Sequence, residues 1–242
     1  MHMLDTLWLL LLFAMLLIGA AYLMTQVRKP SKWVGRPFVW LMNNSHSHLT
    51  DWGLQHVQID KNFTILDVGC GGGRTIQKLA TLATDGKVYG VDYAEGSVAT
   101  ARSKNAELIN AGRVKIKQAS VSQLPFGDNK FDLVTAIETQ YYWSDLANDM
   151  QEVLRVLKQG GTLLIIAESY EKGAHDKALR PIVKLLGASN LGVEDQRELF
   201  SKAGYSDIQI CEDRSKGWIC CIGKKPSHEP SHTVTVPDKI AL

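Results

Sequence analysis

The sequence predicts an α/β protein with a doubly wound, mostly parallel sheet that ends in an antiparallel hairpin and is preceded by one transmembrane helix. Three observations lead to this prediction. Short apolar runs of strand length alternate with helical patterns, as expected for a parallel sheet covered by helices. A glycine-rich turn follows the first of these runs, and an uncharged apolar segment lies near the N-terminus.

The apolar segment, residues 6–24, contains no charged side chain. As a helix rising about 1.5 Å per residue, it is long enough to cross the apolar core of a bilayer. A cleaved signal peptide is a rival interpretation, but no lysine or arginine precedes the run. A buried core helix is a second rival, but such a helix normally keeps a polar face. Because basic residues follow at 28–36, we expect a single-pass membrane protein whose remaining chain is cytoplasmic.

Composition and charge exclude several classes of function. The chain has 242 residues, of which 45% are hydrophobic and 21% charged, and this composition excludes wholesale disorder. Its 27 basic and 25 acidic residues leave a net charge of +2, so no surface for nucleic acid is expected. Neither the four cysteines nor His46, His48 and His56 have the spacing of a metal site, so no metal is predicted. The cysteines favour a reducing compartment.

Five runs rich in apolar and β-branched residues are predicted to form the parallel strands. Several are continuously apolar, as strands buried on both faces are. The runs cover residues 63–68, 87–92, 114–119, 131–137 and 162–168.

A helix is predicted after the fourth of these strands. Apolar residues recur at helical spacing from Ala147 to Leu157, with Ser144 as the predicted N-cap. Gly160 and Gly161 are predicted to close this helix. A second helical region is expected over residues 171–203.

The last part of the sheet is predicted to be a hairpin. The runs 206–213 and 217–224 are typical strands, with a turn near residues 215–217. In this hairpin Cys211 lies nearly opposite Cys220. A redox switch is conceivable there, but the favoured interpretation is that these are small buried apolar residues.

The chemistry of the chain begins where the first strand ends, in the run ILDVGCGGGRT. Glycines in a turn between a strand and a helix let the backbone approach a ligand and present unpaired amide groups to it. The fingerprint for a nicotinamide dinucleotide requires a third glycine where this chain has Arg74, so an oxidoreductase is disfavoured.

Asp92 ends the second strand, about twenty residues after the glycine turn. An acidic side chain at that point can accept hydrogen bonds from both hydroxyls of a ribose. The alternative is that Asp92 only caps the helix that follows. Together, the glycine turn and Asp92 predict a nucleotide site.

These residues resemble the class I S-adenosylmethionine-dependent methyltransferases of the small-molecule, type-11 kind. The resemblance covers about residues 60–225. It implies a Rossmann-like fold with a seven-stranded sheet, and S-adenosylmethionine as cofactor. The motifs that carry it are ILDVGCGGG, YGVDYAEGSV, QASVSQLPF, FDLVTAIET and EVLRVLKQGGTLLI.

The resemblance also implies a set of cofactor-binding residues. The glycine loop lies beneath the methionine moiety and the ribose, Asp92 binds the ribose, and Tyr93 packs on the adenine. Many relatives have aspartate where this chain has Ser120, so the contact with the adenine amino group would here depend on a hydroxyl. The whole set comprises Asp67, Gly69, Cys70, Gly71, Asp92, Tyr93, Ser120, Val121 and Glu138.

The implied reaction is methyl transfer to a small-molecule or lipid-like acceptor, which we expect to be apolar or amphiphilic. The methyl group is carried on a sulfonium, an excellent leaving group, so alignment and desolvation can supply most of the rate enhancement. Where the acceptor must lose a proton, Glu138 is the candidate base and Tyr142 the residue that orients the acceptor. The alternative is that Tyr141, Tyr142 and Trp143 only pack the pocket wall.

The predicted domain organisation has four parts. Residues 1–28 form the membrane anchor and 29–59 a linker with an N-terminal cap helix. The methyltransferase domain covers 60–225, and a disordered tail follows over 226–242. A membrane-tethered module that binds S-adenosylmethionine without turnover would carry the same motifs, and a turnover assay separates it from an enzyme.

Overall fold

A computed structural model describes residues 47–168 and 191–227, together with Met15. The strands in these ranges are β1 (Thr64–Val68), β2 (Lys87–Asp92), β3 (Val114–Gln118), β4 (Phe131–Ile137), β5 (Leu157–Ala167), β6 (Ser206–Asp213) and β7 (Trp218–Lys224). The helices are α1 (Ser47–Leu54), α2 (Arg74–Leu82), α3 (Glu95–Lys104), α4 (Ala106–Asn110), α5 (Leu146–Val156) and α6 (Val193–Lys202). A short 3-10 turn covers Gln140–Tyr142.

The seven strands form one mixed sheet in the order β3-β2-β1-β4-β5-β7-β6. The first five are parallel, whereas β7 runs antiparallel to both β5 and β6. This confirms the predicted Rossmann-like sheet and its C-terminal hairpin. The strand order reverses between β1 and β4, and a crevice opens beyond the carboxyl ends of the strands at such a switch point.

The core lies on both faces of the sheet because its central strands are apolar on both sides. On β1, Leu66 and Val68 pack into one buried cluster, whereas Ile65 between them packs into the other. The first cluster includes Met150 and Val153 of α5. The second cluster includes apolar residues of α1 and α2.

The hairpin has the predicted register. Cys211 pairs with Cys220 between β6 and β7, and Cys220 is fully buried. All four cysteines are free thiols. Burial raises the pKa of the Cys220 thiol well above its ordinary range. This finding agrees with the interpretation of Cys220 as a small apolar core residue, whereas Cys211 is only half-buried.

Two local predictions around α5 are wrong. The N-cap is Asp145 rather than Ser144, because the Asp145 carboxylate accepts the Asn148 N–H at 3.2 Å. The helix ends at Val156, and Gly160 lies within β5 instead of closing the helix. Leu157 already pairs with Phe131 of β4, so pairing with the neighbouring strand ends the helix early.

The predicted membrane localisation also requires correction. No helix within residues 47–168 or 191–227 is long and apolar enough to cross a bilayer. The longest of them, α5, has 11 residues and rises only about 17 Å. On this finding the prediction of a single-pass membrane protein with its remaining chain in the cytoplasm is wrong, and the predicted membrane partner is not supported. The segment 6–24 itself lies outside the described residues, apart from Met15.

Two further predictions fall partly outside the described ranges. Of the helical region expected over 171–203, residues 169–190 are not described, and α6 accounts for 193–202. The predicted tail at 226–242 is described only as far as residue 227. The domain boundaries therefore stay predictions.

The close approach of α2 to the sheet depends on Gly90 in β2. A methyl group at this position would overlap Cδ1 of Ile76 and lie 3.1 Å from Sγ of Cys70. Both side chains are buried and cannot move into solvent. The absence of a side chain at Gly90 therefore allows helix and strand to pack.

We expect Gly90→Ala to lower the free energy of unfolding by about 1–3 kcal/mol, because an added methyl overpacks this contact. Gly127→Ala is the matched control, since a methyl there meets nothing within 4 Å. Denaturant unfolding of both variants measures the difference. Equal stability of the two would show that the helix adjusts without cost.

Candidate functional site

The site is built on the turn between β1 and α2. Gly69, Gly71 and Gly73 all have left-handed backbone conformations, with φ of 71°, 49° and 77°. The N–H groups of Gly69 and Cys70 donate to the carbonyl of Val91 at 2.8 and 2.9 Å. The turn is thereby fixed against the end of β2.

Asp92 connects this turn with the turn between β2 and α3. Its Oδ2 accepts the Gly71 N–H at 2.9 Å, and its Oδ1 accepts the Ala94 N–H at 2.8 Å. Burial raises the pKa of Asp92, while these two hydrogen bonds oppose the rise. Asp92 therefore holds Ala94, the N-cap residue of α3, but is not itself the N-cap. Each carboxylate oxygen has a second acceptor position, so the side chain can also bind a ligand.

A cleft of about 280 Å³ opens at the carboxyl ends of β1, β2, β3 and β4. It lies at the switch point of the strand order, where α/β sheets bind ligands. Its lining residues are Val68, Gly69, Val91, Asp92, Tyr93, Ala119, Ser120, Val121, Ser122, Thr139, Tyr142, Trp143 and Ser144.

Asp67 lies beneath the cleft and is 2% exposed. Burial raises its pKa to about 7, with a smaller contribution from the negative charge of Asp92. The Thr135 hydroxyl donates to Asp67 Oδ1 at 2.7 Å and opposes this rise. Asp67 is thus a buried carboxyl group that titrates near neutral pH.

Glu138 follows β4 with a left-handed φ of 56°, which is uncommon for a residue with a side chain. Its Oε1 accepts the Tyr141 hydroxyl at 3.1 Å and also the Glu168 N–H. Burial raises the pKa of Glu138 to about 7, and the charge of Glu168 adds to this effect, whereas both hydrogen bonds oppose it. The carboxylate lies at the ends of β4 and β5.

Comparison with known protein families identifies the domain. A family model described as a methyltransferase domain matches residues 59–204, more than half of the chain. The chain belongs to this methyltransferase domain family. The cleft at the switch point is the candidate functional site of this domain.

Curated relatives of the methyltransferase domain are named for different methylation reactions. An O-methyltransferase, cnsE, from Penicillium expansum is 30% identical over 151 residues, covering 62% of this chain and 54% of the relative. A sterol 4-C-methyltransferase, strm-1, from Caenorhabditis elegans is 29% identical over 175 residues, covering 70% and 51%. The chain therefore spans about half the length of these relatives.

A solved structure shares the fold. A phosphoethanolamine N-methyltransferase from Haemonchus contortus, in complex with phosphomonomethylethanolamine and S-adenosylhomocysteine, superposes with a TM-score of 0.65. The two chains are 17% identical over 75% of this chain and 53% of the other. At this identity the likeness establishes the Rossmann-like methyltransferase fold alone.

The methyltransferase cleft gathers six of the residues predicted from sequence. Gly69, Asp92, Tyr93, Ser120, Val121 and Tyr142 line it. Asp67, Cys70, Gly71 and Glu138 lie within two residues of lining positions in the chain but do not themselves line the cleft. Cys70 is buried, and burial raises the pKa of its thiol. A thiol with a raised pKa is a poor nucleophile, because the thiolate is the reactive form.

Sequence reasoning missed Thr135, Thr139 and Ser122. Thr135 pairs with Asp67 across two parallel strands and is 68 residues away in sequence, so no local pattern reveals it. Thr139 packs against Gly69, whose missing side chain leaves room for it. Ser122 follows Ser120 by two residues, and its N–H donates to the Ser120 hydroxyl at 3.2 Å. That short spacing was the available signal for Ser122.

The residues of the cleft fit S-adenosylmethionine. Asp92 offers a carboxylate to the ribose hydroxyls, and Tyr93, 42% exposed, offers an aromatic ring. A methyl group built at Gly71 would meet no atom within 4 Å, so open space adjoins the glycine turn. No cluster of three or more potential metal ligands occurs in the described part of the chain.

Proposed function

We propose that this chain transfers a methyl group from S-adenosylmethionine to a small acceptor molecule. The observation that carries the proposal is Asp92: two backbone N–H groups hold its carboxylate at the edge of a switch-point cleft, beside an open glycine turn. Membership of the methyltransferase domain family supports the same reaction. The cofactor, when bound, supplies a methyl group on a sulfonium.

The chain's own residues orient the donor. Asp92 would accept hydrogen bonds from the ribose hydroxyls, and the ring of Tyr93 would pack on the adenine. The hydroxyl of Ser120 takes the place of the aspartate found in many relatives at the adenine edge. Val68 and Val121 provide an apolar surface that excludes water. These residues would hold the donor in the cleft at the carboxyl ends of the parallel strands.

Tyr142 and Trp143, from the turn after β4, also line the cleft, and the acceptor would lie against them. Aromatic side chains provide a large apolar surface with a polar group at one end. We therefore propose an apolar acceptor that Tyr142 orients through its hydroxyl. Relatives named as an O-methyltransferase and a sterol C-methyltransferase are consistent with such an acceptor.

Glu138 is the proposed base for an acceptor that loses a proton. A general base works best when its pKa lies near the operating pH. Burial places the pKa of Glu138 at about 7, and the hydrogen bonds from Tyr141 and Glu168 hold the carboxylate in place. The proton would pass from the acceptor to this carboxylate as the acceptor bonds to the methyl carbon, while the bond from that carbon to sulfur breaks and S-adenosylhomocysteine is released.

An assay with methyl-tritiated S-adenosylmethionine tests the proposal. The full-length protein is incubated with a catechol, a sterol and a primary amine, and the products are separated by chromatography. We expect label on one of these acceptors and an equal amount of S-adenosylhomocysteine. Binding without turnover would instead support a binding module, and absence of binding would overturn the proposal.

The role of Asp92 predicts a loss of cofactor affinity in Asp92→Ala. Removing a charged acceptor for two hydroxyls should weaken S-adenosylhomocysteine binding by about ten- to a hundredfold. Asp85→Ala is the control, because Asp85 is exposed and pairs only with Lys61 in the described ion pairs. Calorimetry measures both affinities, and an unfolding curve verifies that each variant is folded. Unchanged affinity in Asp92→Ala would remove the assignment.

Open space at Gly71 predicts that Gly71→Asp folds but no longer binds the cofactor. The left-handed φ should cost about 1–2 kcal/mol of stability, and the new carboxylate would occupy the space that the ligand requires. Gly112→Asp is a matched control, since Gly112 has a φ of 70° and equally open surroundings outside the cleft. Both variants should lose similar stability, and only Gly71→Asp should lose calorimetric binding. Binding by both would exclude Gly71 from the site.

The proposed base predicts a pH dependence of turnover. Because a carboxylate accepts a proton only when it is ionised, kcat should rise as the pH rises through the pKa of Glu138, which is about 7 without ligand and which a bound cation would lower. Glu138→Gln should lower kcat and abolish this rise. Saturating cofactor is required, since Asp67 also titrates at about 7 and could alter cofactor affinity. A rise that persists in Glu138→Gln would assign it to another group.

A further inference from the structure

Two buried amide side chains join the turn after β4 to helix α6. Gln140 and Gln196 are only 5% and 4% exposed. The Gln140 amide nitrogen donates to Gln196 Oε1 at 3.2 Å, and the Gln196 amide nitrogen donates to Gln140 Oε1 at 2.9 Å. The two residues are 56 positions apart in the chain. Their contact therefore exists only in the folded protein.

Such a pair contributes orientation more than stability. Buried amides gain little over apolar side chains of the same shape, because both must first leave water. Two reciprocal hydrogen bonds, however, define the position and rotation of both amide planes. Apolar side chains that fill the same space would leave this rotation undefined.

The turn held by Gln140 also carries the wall of the cleft. Gln140 begins the 3-10 turn, and Tyr142 and Trp143 of the same turn region line the cleft. The Tyr142 N–H donates to the Thr139 carbonyl at 3.0 Å, and the Trp143 N–H donates to the Gln140 carbonyl at 3.1 Å. A displacement of Gln140 would therefore be transmitted directly to both aromatic side chains.

We propose that Gln140 and Gln196 are positioning residues that set the aromatic wall against which the acceptor is held. The inference rests on the proposed methyl transfer. It adds that helix α6, which contributes no lining residue to the cleft, determines how the acceptor binds. The donor end, formed by Asp92 and Tyr93, belongs to other elements and should not depend on the pair.

Methionine substitutions test the pair because methionine has nearly the shape of glutamine and no hydrogen bond. The variants are Gln140→Met, Gln196→Met and the double variant. In either single variant the remaining amide is buried without its partner, so stability should fall. In the double variant both amides are gone, and the unfolding midpoint should recover. Gln77→Met on the exposed surface of α2 is the control.

Hydrogen exchange measures how well the 3-10 turn is held in place, and it requires no methyl acceptor. In both single variants and in the double variant, the amides of Tyr142 and Trp143 should exchange about tenfold faster than in the unsubstituted protein. The control should leave exchange unchanged. If exchange is unaltered in the single variants, or recovers in the double variant along with stability, the pair contributes packing alone and the inference fails.

Kinetics separate positioning from a general structural effect. With the acceptor that the labelling assay identifies, KM for that acceptor should rise about tenfold in all three variants. The affinity for S-adenosylhomocysteine should change less than twofold by calorimetry. An equal loss of donor affinity would overturn the inference. If the unsubstituted protein methylates none of the probes, the proposed function fails, and the exchange measurement still decides whether the pair holds the turn.

Discussion

The carboxylate of Asp92 is the interaction on which the site depends, because it holds two turns in one place. One oxygen accepts the Gly71 N–H of the turn after β1, and the other accepts the Ala94 N–H at the start of α3. Without this carboxylate, the N–H groups of Gly71 and Ala94 would lose their hydrogen-bond partner, and a buried N–H without a partner costs free energy. Burial raises the pKa of Asp92, and the same hydrogen bonds offset part of that rise. The charge required to order the turns is thus the charge available to a ligand.

Burial of carboxyl groups at the carboxyl ends of the strands also affects the electrostatics of the site. Asp67 and Glu138, at or just after the ends of the adjacent strands β1 and β4, both have a pKa of about 7 because they are buried. A positive charge placed between such groups favours their ionised form and is itself stabilised by them. The sulfonium and amino groups of the proposed donor have this charge. The site therefore combines an apolar surface with carboxyl groups whose ionisation a cationic ligand would promote.

Local patterns anticipated most of the sheet because the central strands are apolar on both faces. The limits of β2, β4 and β6 agree with the predicted runs, and those of β1, β3 and β7 differ by one residue at one end. The exception is β5, which begins at Leu157 instead of residue 162. Phe131 pairs with Leu157 and Leu133 with Thr162, so β5 bulges between these pairs, and Gly160 has a φ of 73° there. A glycine pair after a helix favours a C-cap in isolation, and only the partner strand made it a bulge.

The sequence by itself determined the α/β architecture, the glycine turn and the acidic end of β2, because each is encoded by residues that are neighbours in the chain. Tertiary structure decided which side chains share the site. The contact of Asp67 with Thr135 crosses two strands, and the contact of Gln140 with Gln196 joins a turn to a helix 56 residues away. Neither contact has a periodic or local signal, since its partners meet only when the sheet and its helices pack. The same long-range packing raises the pKa of Asp67 and Glu138, because burial is a property of the folded chain and not of the residue.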